Sequence, residues 1–273
     1  MSTTDHIGLS RTLSDGWVVA KRNLIKIKRV PEILVFVLIS PIMFVLLFAY
    51  VFGGAIDAGP GLDYKEFLIG GIFAQTVVFG STFSGAAMAE DMQKGFIDRF
   101  RSLPMARSAV LVGRTGSDVV YNVLSLIIMA LTGLLVGWRA HHGIFKTLAA
   151  FALLLVFAYA ISWVMAWVGL IVPSVDVINN ASFIIIMPLT FVSNAFVPTE
   201  SFPAFLKPFV EWNPVSAVTQ AVRDLFGNVP DGTPVSDAWS LQHPVIYSLI
   251  WVVIILAVFV PLSVRQYQRA SSK

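Results

Sequence analysis

The sequence predicts an all-α integral membrane protein with six transmembrane helices. An N-terminal interfacial amphipathic helix, a short cytoplasmic helix and an outer re-entrant helical hairpin complete it. Three observations predict this class. First, six stretches carry no charged residue: Ile33–Phe52, Phe67–Ala89, Val119–Trp138, Thr147–Val175, Val177–Thr199 and Pro244–Val264, the shortest of 20 residues. At 1.5 Å per residue a helix of that length spans about 30 Å, the thickness of a hydrocarbon core, and backbone in lipid must satisfy its own hydrogen bonds. Second, the mean hydropathy is +0.78, with 56% hydrophobic and 13% charged residues, far from soluble norms. A large soluble core would need amphipathic helices, and these segments are apolar all round. Third, the basic residues sit in a few clusters beside the spans.

In chain order, residues 1–30 form a cytoplasmic N-terminus. Residues 31–267 hold spans near 33–52, 67–89, 116–138, 147–172, 177–199 and 244–264, and residues 268–273 are a cytoplasmic tail. In the N-terminus Leu13, Trp17, Ala20, Leu24 and Ile27 are spaced 4-3-4-3, one narrow helical stripe. Arg22, Lys26 and Arg29 point away from it, and Lys21 and Lys28 flank it. Such a helix lies in the interface, its stripe in acyl chains and its cations near anionic headgroups, each worth about 1 kcal/mol. Pro31 ends it. No cleavable signal peptide is expected, because the first apolar run starts only at Ile33 and no small-residue cleavage site follows it. Pro41 and Pro188 are expected to kink the first and fifth spans.

Between the second and third spans, Met92, Phe96, Phe100 and Leu103 repeat at 4-4-3, interleaved with Lys94, Asp98, Arg99 and Arg101. This predicts a short amphipathic cytoplasmic helix whose phenylalanines fill a pocket on this chain or on a partner. The second span is rich in small residues, and pairs such as Gly80/Ser84 and Ser81/Gly85 allow close helix packing, within the protein rather than across a dimer seam. The segment Thr199–His243 is only half polar. Phe202, Phe205, Phe209 and Trp212 crowd its first part; Asn213 and Pro214 then read as N-cap and first turn of a helix that stops at Gly227. A short hairpin dipping into the outer leaflet fits this pattern.

Both termini fall on one side of six spans. With that side cytoplasmic, 14 of the 19 basic residues lie inside, in three separate segments, while the acids split eight and eight. Excess Lys and Arg inside is the positive-inside pattern, so the chain is N-in and C-in. The net charge of +3 therefore reflects orientation and points to no nucleic acid.

Several chemistries are absent. No G-x-x-x-x-G-K-[ST] occurs; Gly80–Gly85 has the glycine spacing but Ala86 and Ala87 follow. No charged residue falls inside the six stretches, and Asp118 and Asp176 stand at their cytoplasmic edges. That argues against an ion-coupled secondary transporter or channel, which buries acids or histidines near the midplane. No nucleophile–base or metal constellation supports a membrane-embedded lipid-modifying enzyme. His141-His142 lie in a short outer loop with no acidic neighbour in sequence, and read as exposed polar residues. Asn180-Ala-Ser182 matches a glycosylation sequon but falls at the cytoplasmic leaflet. The lack of cysteine excludes disulfides and thiolate metal sites. No catalytic, cofactor-binding or metal residue is assigned.

Three motifs carry a family resemblance. They are Lys21-Arg-Asn-Leu-Ile-Lys-Ile-Lys-Arg-Val-Pro31 leading to Tyr50-Val-Phe-Gly-Gly54, then Gly95-Phe-Ile-Asp-Arg-Phe-Arg-Ser-Leu-Pro-Met-Ala-Arg107, and Asn213-Pro214 with Arg223 nine residues after the proline. Over roughly Asp15 to Arg265 the chain resembles the permease subunit of type-2 ABC exporters, the daunorubicin-resistance (DrrB-like) branch. At Val215 and Ala217 the late motif agrees in spacing rather than identity. The resemblance implies a homodimer of permeases in the cell inner membrane bound to two copies of a separate ABC ATPase. ATP and Mg would sit on that partner, with no cofactor on this chain. It implies that Met92, Phe96, Arg99, Phe100 and Arg101, with the interfacial helix bearing Leu13, Trp17, Lys21, Leu24 and Lys28, dock on the ATPase. It implies a route lined by the first, second and fifth spans under the hairpin that carries Asn213, Pro214 and Arg223. On those spans Phe44, Phe48, Gln75, Phe79, Thr82, Phe83 and Asn194 offer aromatic and uncharged polar groups, which suit a hydrophobic or amphipathic drug, antibiotic or lipid-like compound. A lipid-linked glycan or glycolipid is the alternative cargo.

The topology is directly testable, since the chain has no cysteine of its own. Ser236→Cys is expected to react with an impermeant thiol reagent in intact cells, and Ser271→Cys only after permeabilisation. The reverse pattern would invert the orientation.

Overall fold

The computed structural model describes residues 39, 42–52, 64–94, 109–172, 174–229 and 236–270. Among these, every regular element is helical. An apolar helix Ile42–Val51 (α1) winds as a π-helix in its second half, Leu47–Phe52. It is followed by Tyr64–Gly80 (α2), Thr82–Gln93 (α3), Ala109–Val136 (α4), Gly143–Ile171 (α5) and Val175–Phe191 (α6). A 3-10 turn at Thr199–Ser201 precedes Lys207–Glu211 (α7), Pro214–Phe226 (α8), Trp239–Gln242 (α9) and Pro244–Ala270 (α10). Leu13, Trp17, Lys21, Leu24, Lys28, Phe96, Arg99, Phe100, Arg101 and Pro41 lie outside the described residues.

Among the described residues, four segments are long and apolar enough to cross a membrane: Tyr64–Gln93, Gly113–Val136, Gly143–Ile171 and Pro244–Arg269. Ile42–Val51 and Val175–Phe191 are shorter apolar helices. The chain is a multi-pass membrane protein. Two boundaries differ from the sequence reading. The fifth apolar stretch runs to Thr199, but α6 ends at Phe191, one turn after Pro188. Proline lacks the donor that holds a helix to its preceding turn, and Val192 closes the last turn by donating to the Pro188 carbonyl at 2.8 Å. Pro188 therefore sits in the closing turn of α6 rather than as a mid-span kink. Conversely, α4 starts at Ala109 and carries Arg114 and Asp118 within its apolar length. Hydropathy places these polar residues outside a span, yet the helix absorbs them. Thr115 Oγ1 donates to the Leu111 carbonyl at 3.0 Å and Ser117 Oγ to the Arg114 carbonyl at 2.6 Å, the back-bonding that lets hydroxyls sit in apolar helices. Asp118, in the first two turns of the apolar segment Gly113–Val136, is buried in the helix bundle.

Helix α5 is the axis of the bundle and packs against α2, α3, α4, α6, α8 and α10. The α2–α3 segment is the most enclosed, with 83% of its apolar window buried against 22% in α10. Glycines make this packing possible, because lipid tails offer no hydrophobic drive between helices and close backbone approach must supply the attraction. A Cβ on Gly71 would stand 1.9 Å from the Ala195 carbonyl oxygen, and one on Gly169 would stand 2.4 Å from the Gly85 oxygen. Ser81, at the α2–α3 junction, donates to the Ala158 carbonyl of α5 at 3.2 Å. The small-residue pairs of the second span thus serve packing inside the protein. Above them Phe73, Trp138, Phe151 and Phe226 form a four-ring core with centroids 4.9–5.7 Å apart.

Gly71→Ala is expected to lower the thermal midpoint of the detergent-solubilised protein sharply. Its Cβ meets backbone rather than a side chain that can swing away, and overpacking of this kind costs about 1–3 kcal/mol or more. Gly116→Ala, whose Cβ meets nothing within 4 Å, is expected to hold or raise the midpoint. Melting curves that coincide for the two variants would contradict the packing.

Candidate functional site

Helix α8 has a complete set of boundary signals. Asn213 Oδ1 accepts from the Val215 amide at 2.8 Å, Pro214 sits in the first turn, and Gly227 ends the helix at φ 73. The Asn228 amide donates to the Arg223 carbonyl at 3.0 Å and the Gly227 amide to the Asp224 carbonyl at 3.2 Å, which is a Schellman ending. The sequence reading of this helix, cap and stop is matched residue for residue.

The sequence did not reveal what the cap does with its other end. Asn213 Nδ2 donates to the carbonyls of Leu189 and Val192, each at 2.7 Å. One side chain therefore caps the start of α8 and the end of α6. Further along α8, Ser216, Gln220 and Arg223 follow at i, i+4 and i+7, one face of the helix. That face engages the irregular chain after α6. Ser216 Oγ accepts from the Asn194 amide at 3.1 Å, and Gln220 Oε1 accepts from Asn194 Nδ2 at 3.5 Å. Arg223 donates Nη1 to the Asn194 carbonyl and Nη2 to the Ala195 carbonyl, both at 2.9 Å, and Nε to the Phe67 carbonyl of α2 at 2.7 Å.

Arg223 is fully buried. Its guanidinium carbon lies 3.4 Å from the centroid of the Phe67 ring, a cation–π contact. Gly70 makes room for its stem, since a Cβ there would come within 2.7 Å of Arg223 Cγ. Burial pulls the pKa of Arg223 down to about 9, opposed by the neighbouring Asp224 carboxylate, so the group is a cation at neutral pH. Burial raises the pKa of Asp224, and the hydrogen bond from Gln220 Nε2 at 2.9 Å opposes that rise. The Arg223 charge is met chiefly by carbonyl dipoles and a ring face, an arrangement suited to the planar, forked guanidinium and not to an ammonium.

Both histidines are exposed, as the sequence reading has them, but that reading gives them no acidic partner. His141 is paired with an acid after all: its Nε2 lies 2.8 Å from Glu66 Oε1, across 75 positions of chain. His142 Nδ1 meets the Asp224 carbonyl at 2.8 Å, and its ring lies over Gly227, where a Cβ would come within 2.7 Å. Asn228 ties this corner together. It accepts from Trp138 Nε1 at 2.8 Å and donates to the Arg139 carbonyl at 2.7 Å. The α4–α5 loop thus caps the end of α8, an arrangement that no local pattern reveals.

Of the seven residues expected on the route, five reach the surface of the bundle. Phe44, Phe48, Phe79 and Thr82 are half-buried and Phe83 is exposed. Phe44 stacks on Phe48 at 5.9 Å, and Phe48 on Phe196 at 4.9 Å, which ties α1 to the chain after α6. Phe79 meets Phe183 of α6 edge-on at 6.1 Å, and Thr82 Oγ1 donates to the Phe79 carbonyl at 2.7 Å. Gln75 and Asn194 are buried inside the bundle, Asn194 against the Arg223 face. Met92, the described member of the docking set, is half-buried against the cluster of Met88, Leu111, Trp163, Leu170 and Tyr267.

Arg223→Lys keeps a cation but loses the fork, so its thermal midpoint is expected to fall nearly as far as that of Arg223→Met. Hydrogen bonds from a charged donor are worth about 1.5–3 kcal/mol each. Asn213→Ala is expected to cost about 0.5–2 kcal/mol through the lost cap, and more through the two carbonyls it strands. Limited proteolysis between residues 199 and 229, together with melting curves, checks both. A wild-type curve for Arg223→Lys would show that the fork geometry is dispensable.

Comparison with known proteins agrees with this architecture. Residues 15–226 match the family model described as ABC-2 type transporter. The chain is 32% identical to the daunorubicin resistance ABC transporter permease protein DrrB1 of Streptomyces coeruleorubidus, covering 97% of this chain and 88% of that protein. It is 26% identical to the probable doxorubicin resistance ABC transporter permease protein DrrC of Mycobacterium tuberculosis, over 71% of this chain and 67% of that one. It is 22% identical to the inner membrane transport permease YadH of Escherichia coli, over 79% and 85% of the two chains. With the match covering α1 to α8 and running through the Asn213–Arg223 clamp, the chain belongs to the ABC-2 type transporter family.

Proposed function

We propose that this chain is the permease subunit of an ATP-driven exporter that moves a hydrophobic or amphipathic compound out of the cytoplasm or inner leaflet. The observation that carries the reading is near-full-length similarity to a permease whose name records daunorubicin resistance. The surface agrees with it. Phe44, Phe48, Phe79, Thr82 and Phe83 reach the bundle surface and supply aromatic and uncharged polar groups, the mixture that binds apolar ligands while orienting them by a few hydrogen bonds. A compact, highly charged cargo would lose hydration on that surface without compensation.

In this reading two copies of the chain form a homodimer in the cell inner membrane, N-in and C-in, surrounded by membrane lipids. Two ATPase subunits bind below and hold ATP and Mg. The interfacial helix and the Met92–Arg101 helix receive the ATPase motion. The bundle transmits it as a rigid body, because α5 ties α2, α3, α4, α6, α8 and α10 together. The hairpin of α7 and α8 dips into the outer leaflet. In support, α6 has 17 residues, about 25 Å at helical rise and short of a full hydrocarbon core. Non-helical backbone at membrane depth is tolerated only where protein satisfies it, and the Asn213–Arg223 face does so. For the orientation test, exposed Asp237 is a more open labelling position than half-buried Ser236, whose hydroxyl lies 2.7 Å from Glu211 Oε1.

The test is reconstitution into proteoliposomes with and without the ATPase. ATP-dependent movement of a hydrophobic fluorescent amphipath is expected only with both subunits present. Phe100→Asp is expected to leave the permease folded while weakening co-purification of the ATPase and abolishing cargo-stimulated ATP hydrolysis, since a buried Phe contributes about 1.5–3 kcal/mol. Movement that persists without the ATPase and collapses with the proton gradient would replace this reading with a secondary transporter.

A further inference from the structure

The outer hairpin and the start of α10 share an aromatic cluster that the reading above does not use. Tyr247 stands in the first turn of α10. The ring of Trp212, just after α7, lies 5.7 Å from that of Tyr247 at 81°, and the ring of Trp239, which opens α9, lies 6.1 Å from it at 87°. Both indoles thus stand nearly perpendicular to the same phenol ring. Tyr247 is buried, whereas Trp212 and Trp239 are 50% and 43% exposed. Hydrogen bonds fix the arrangement. Tyr247 Oη donates to the Trp212 carbonyl at 2.9 Å, Ser236 Oγ to Glu211 Oε1 at 2.7 Å, and Ser240 Oγ to the Glu211 carbonyl at 2.5 Å.

Tryptophan and tyrosine collect where a helix enters a membrane, and anchoring alone accounts for the rings. It does not account for the charges among them. Glu211 immediately precedes Trp212, and the one serine on its side chain leaves most of the accepting capacity of the carboxylate open. Lys207 lies four residues earlier, on the same side of α7. Among the described residues no ion pair joins Lys207 to Glu211. Phe205, Phe209 and Trp212, spaced 4-3, take the opposite side and are all exposed. Helix α7 therefore turns an apolar side to acyl chains and a side with one cation and one carboxylate to the headgroup level. A headgroup that carries both a phosphate and an ammonium matches that pair of charges. Tryptophan offers the best ring face for a cation, so two indoles beside a carboxylate select an ammonium over a neutral or anionic terminus.

We propose that Trp212, Trp239 and Tyr247, with Glu211 beside them, bind the ammonium of a zwitterionic phospholipid in the outer leaflet. The phosphate of that headgroup faces Lys207, and the acyl chains run along Phe205 and Phe209. Bound there, the lipid bridges α7, α9 and α10 and holds the hairpin against the span that follows it. The site is separate from the cargo route. It rests on the outer placement of the hairpin proposed above.

The test titrates the full-length permease in detergent with phospholipids of identical acyl chains and reads bound lipid by native mass spectrometry. Phosphatidylethanolamine and phosphatidylcholine carry the ammonium; phosphatidylglycerol and N-acetylated phosphatidylethanolamine carry the phosphate without it. The wild type is expected to bind the first two about five- to tenfold more tightly than the last two. Trp212→Leu with Trp239→Leu is expected to bring that ratio to about one. Glu211→Gln keeps an oxygen for Ser236 and is expected to lower the ratio about threefold, with phosphatidylglycerol binding unchanged. Trp239→Phe, which keeps an exposed ring of weaker face, is expected to lower it about twofold. Lys207→Gln is expected to weaken all four lipids alike, since the phosphate is common to them. A wild type with no preference, or a preference unmoved in Glu211→Gln, Trp239→Phe and the double variant, would overturn the site and leave the rings as membrane anchors only. Should the double variant not fold, Glu211→Gln and Trp239→Phe decide. None of these outcomes touches ATP-dependent export, which the proteoliposome assay reads separately. Labelling of Asp237→Cys only after permeabilisation would overturn the outer placement, and with it the leaflet named here.

Discussion

The structure depends on the backbone carbonyls that α6 leaves open where it stops. A helix ending at Phe191 leaves its last carbonyls without intrahelical donors, and the chain from Val192 to Val197 adds more. Asn213 and Arg223 answer that need from the two ends of a single helix, α8. The same Arg223 reaches the Phe67 carbonyl, so α2, α8 and the chain after α6 meet at one guanidinium. Gly70 and Gly71 are bare at this level because the Arg223 stem and the Ala195 carbonyl occupy the space that side chains would take. Motif, cap and glycine spacing are three consequences of one hydrogen-bonding requirement.

At the clamp, every guanidinium nitrogen of Arg223 has a carbonyl partner, so the junction resists opening. In a low-dielectric interior a satisfied network rigidifies, and the clamp leans on α2–α3, the most enclosed segment of the bundle.

The glycine contacts explain how a bundle with so little amphipathicity holds one packing. The sides of α5 differ little in hydrophobicity, since no residue from Thr147 to Ile171 is charged. Specificity comes from shape instead: Gly85 against Gly169 and Gly71 against Ala195 admit one register each. Sliding either pair by a residue sets a Cβ against backbone. The aromatic core at Phe73, Trp138, Phe151 and Phe226 then fills the space above the close contacts.

The sequence by itself determined the class, the Asn213–Gly227 helix with both its boundaries, and the family. These follow from local rules: charge excludes residues from lipid, caps and stops act within four residues, and motif spacing is linear. The tertiary structure alone decided where α6 ends, because that end is viable only with donors from α8. It decided that Arg223 is a buried clamp, that His141 has Glu66 as a partner, and that Asn194 and Gln75 lie inside the bundle rather than on its surface. It also showed that Asp118 is buried, since a helix can carry polar residues against its neighbours once those neighbours and its own carbonyls meet their hydrogen bonds. Hydropathy averages over a segment and is blind to which face a residue takes; the contacts that settle these points join residues tens to more than a hundred positions apart.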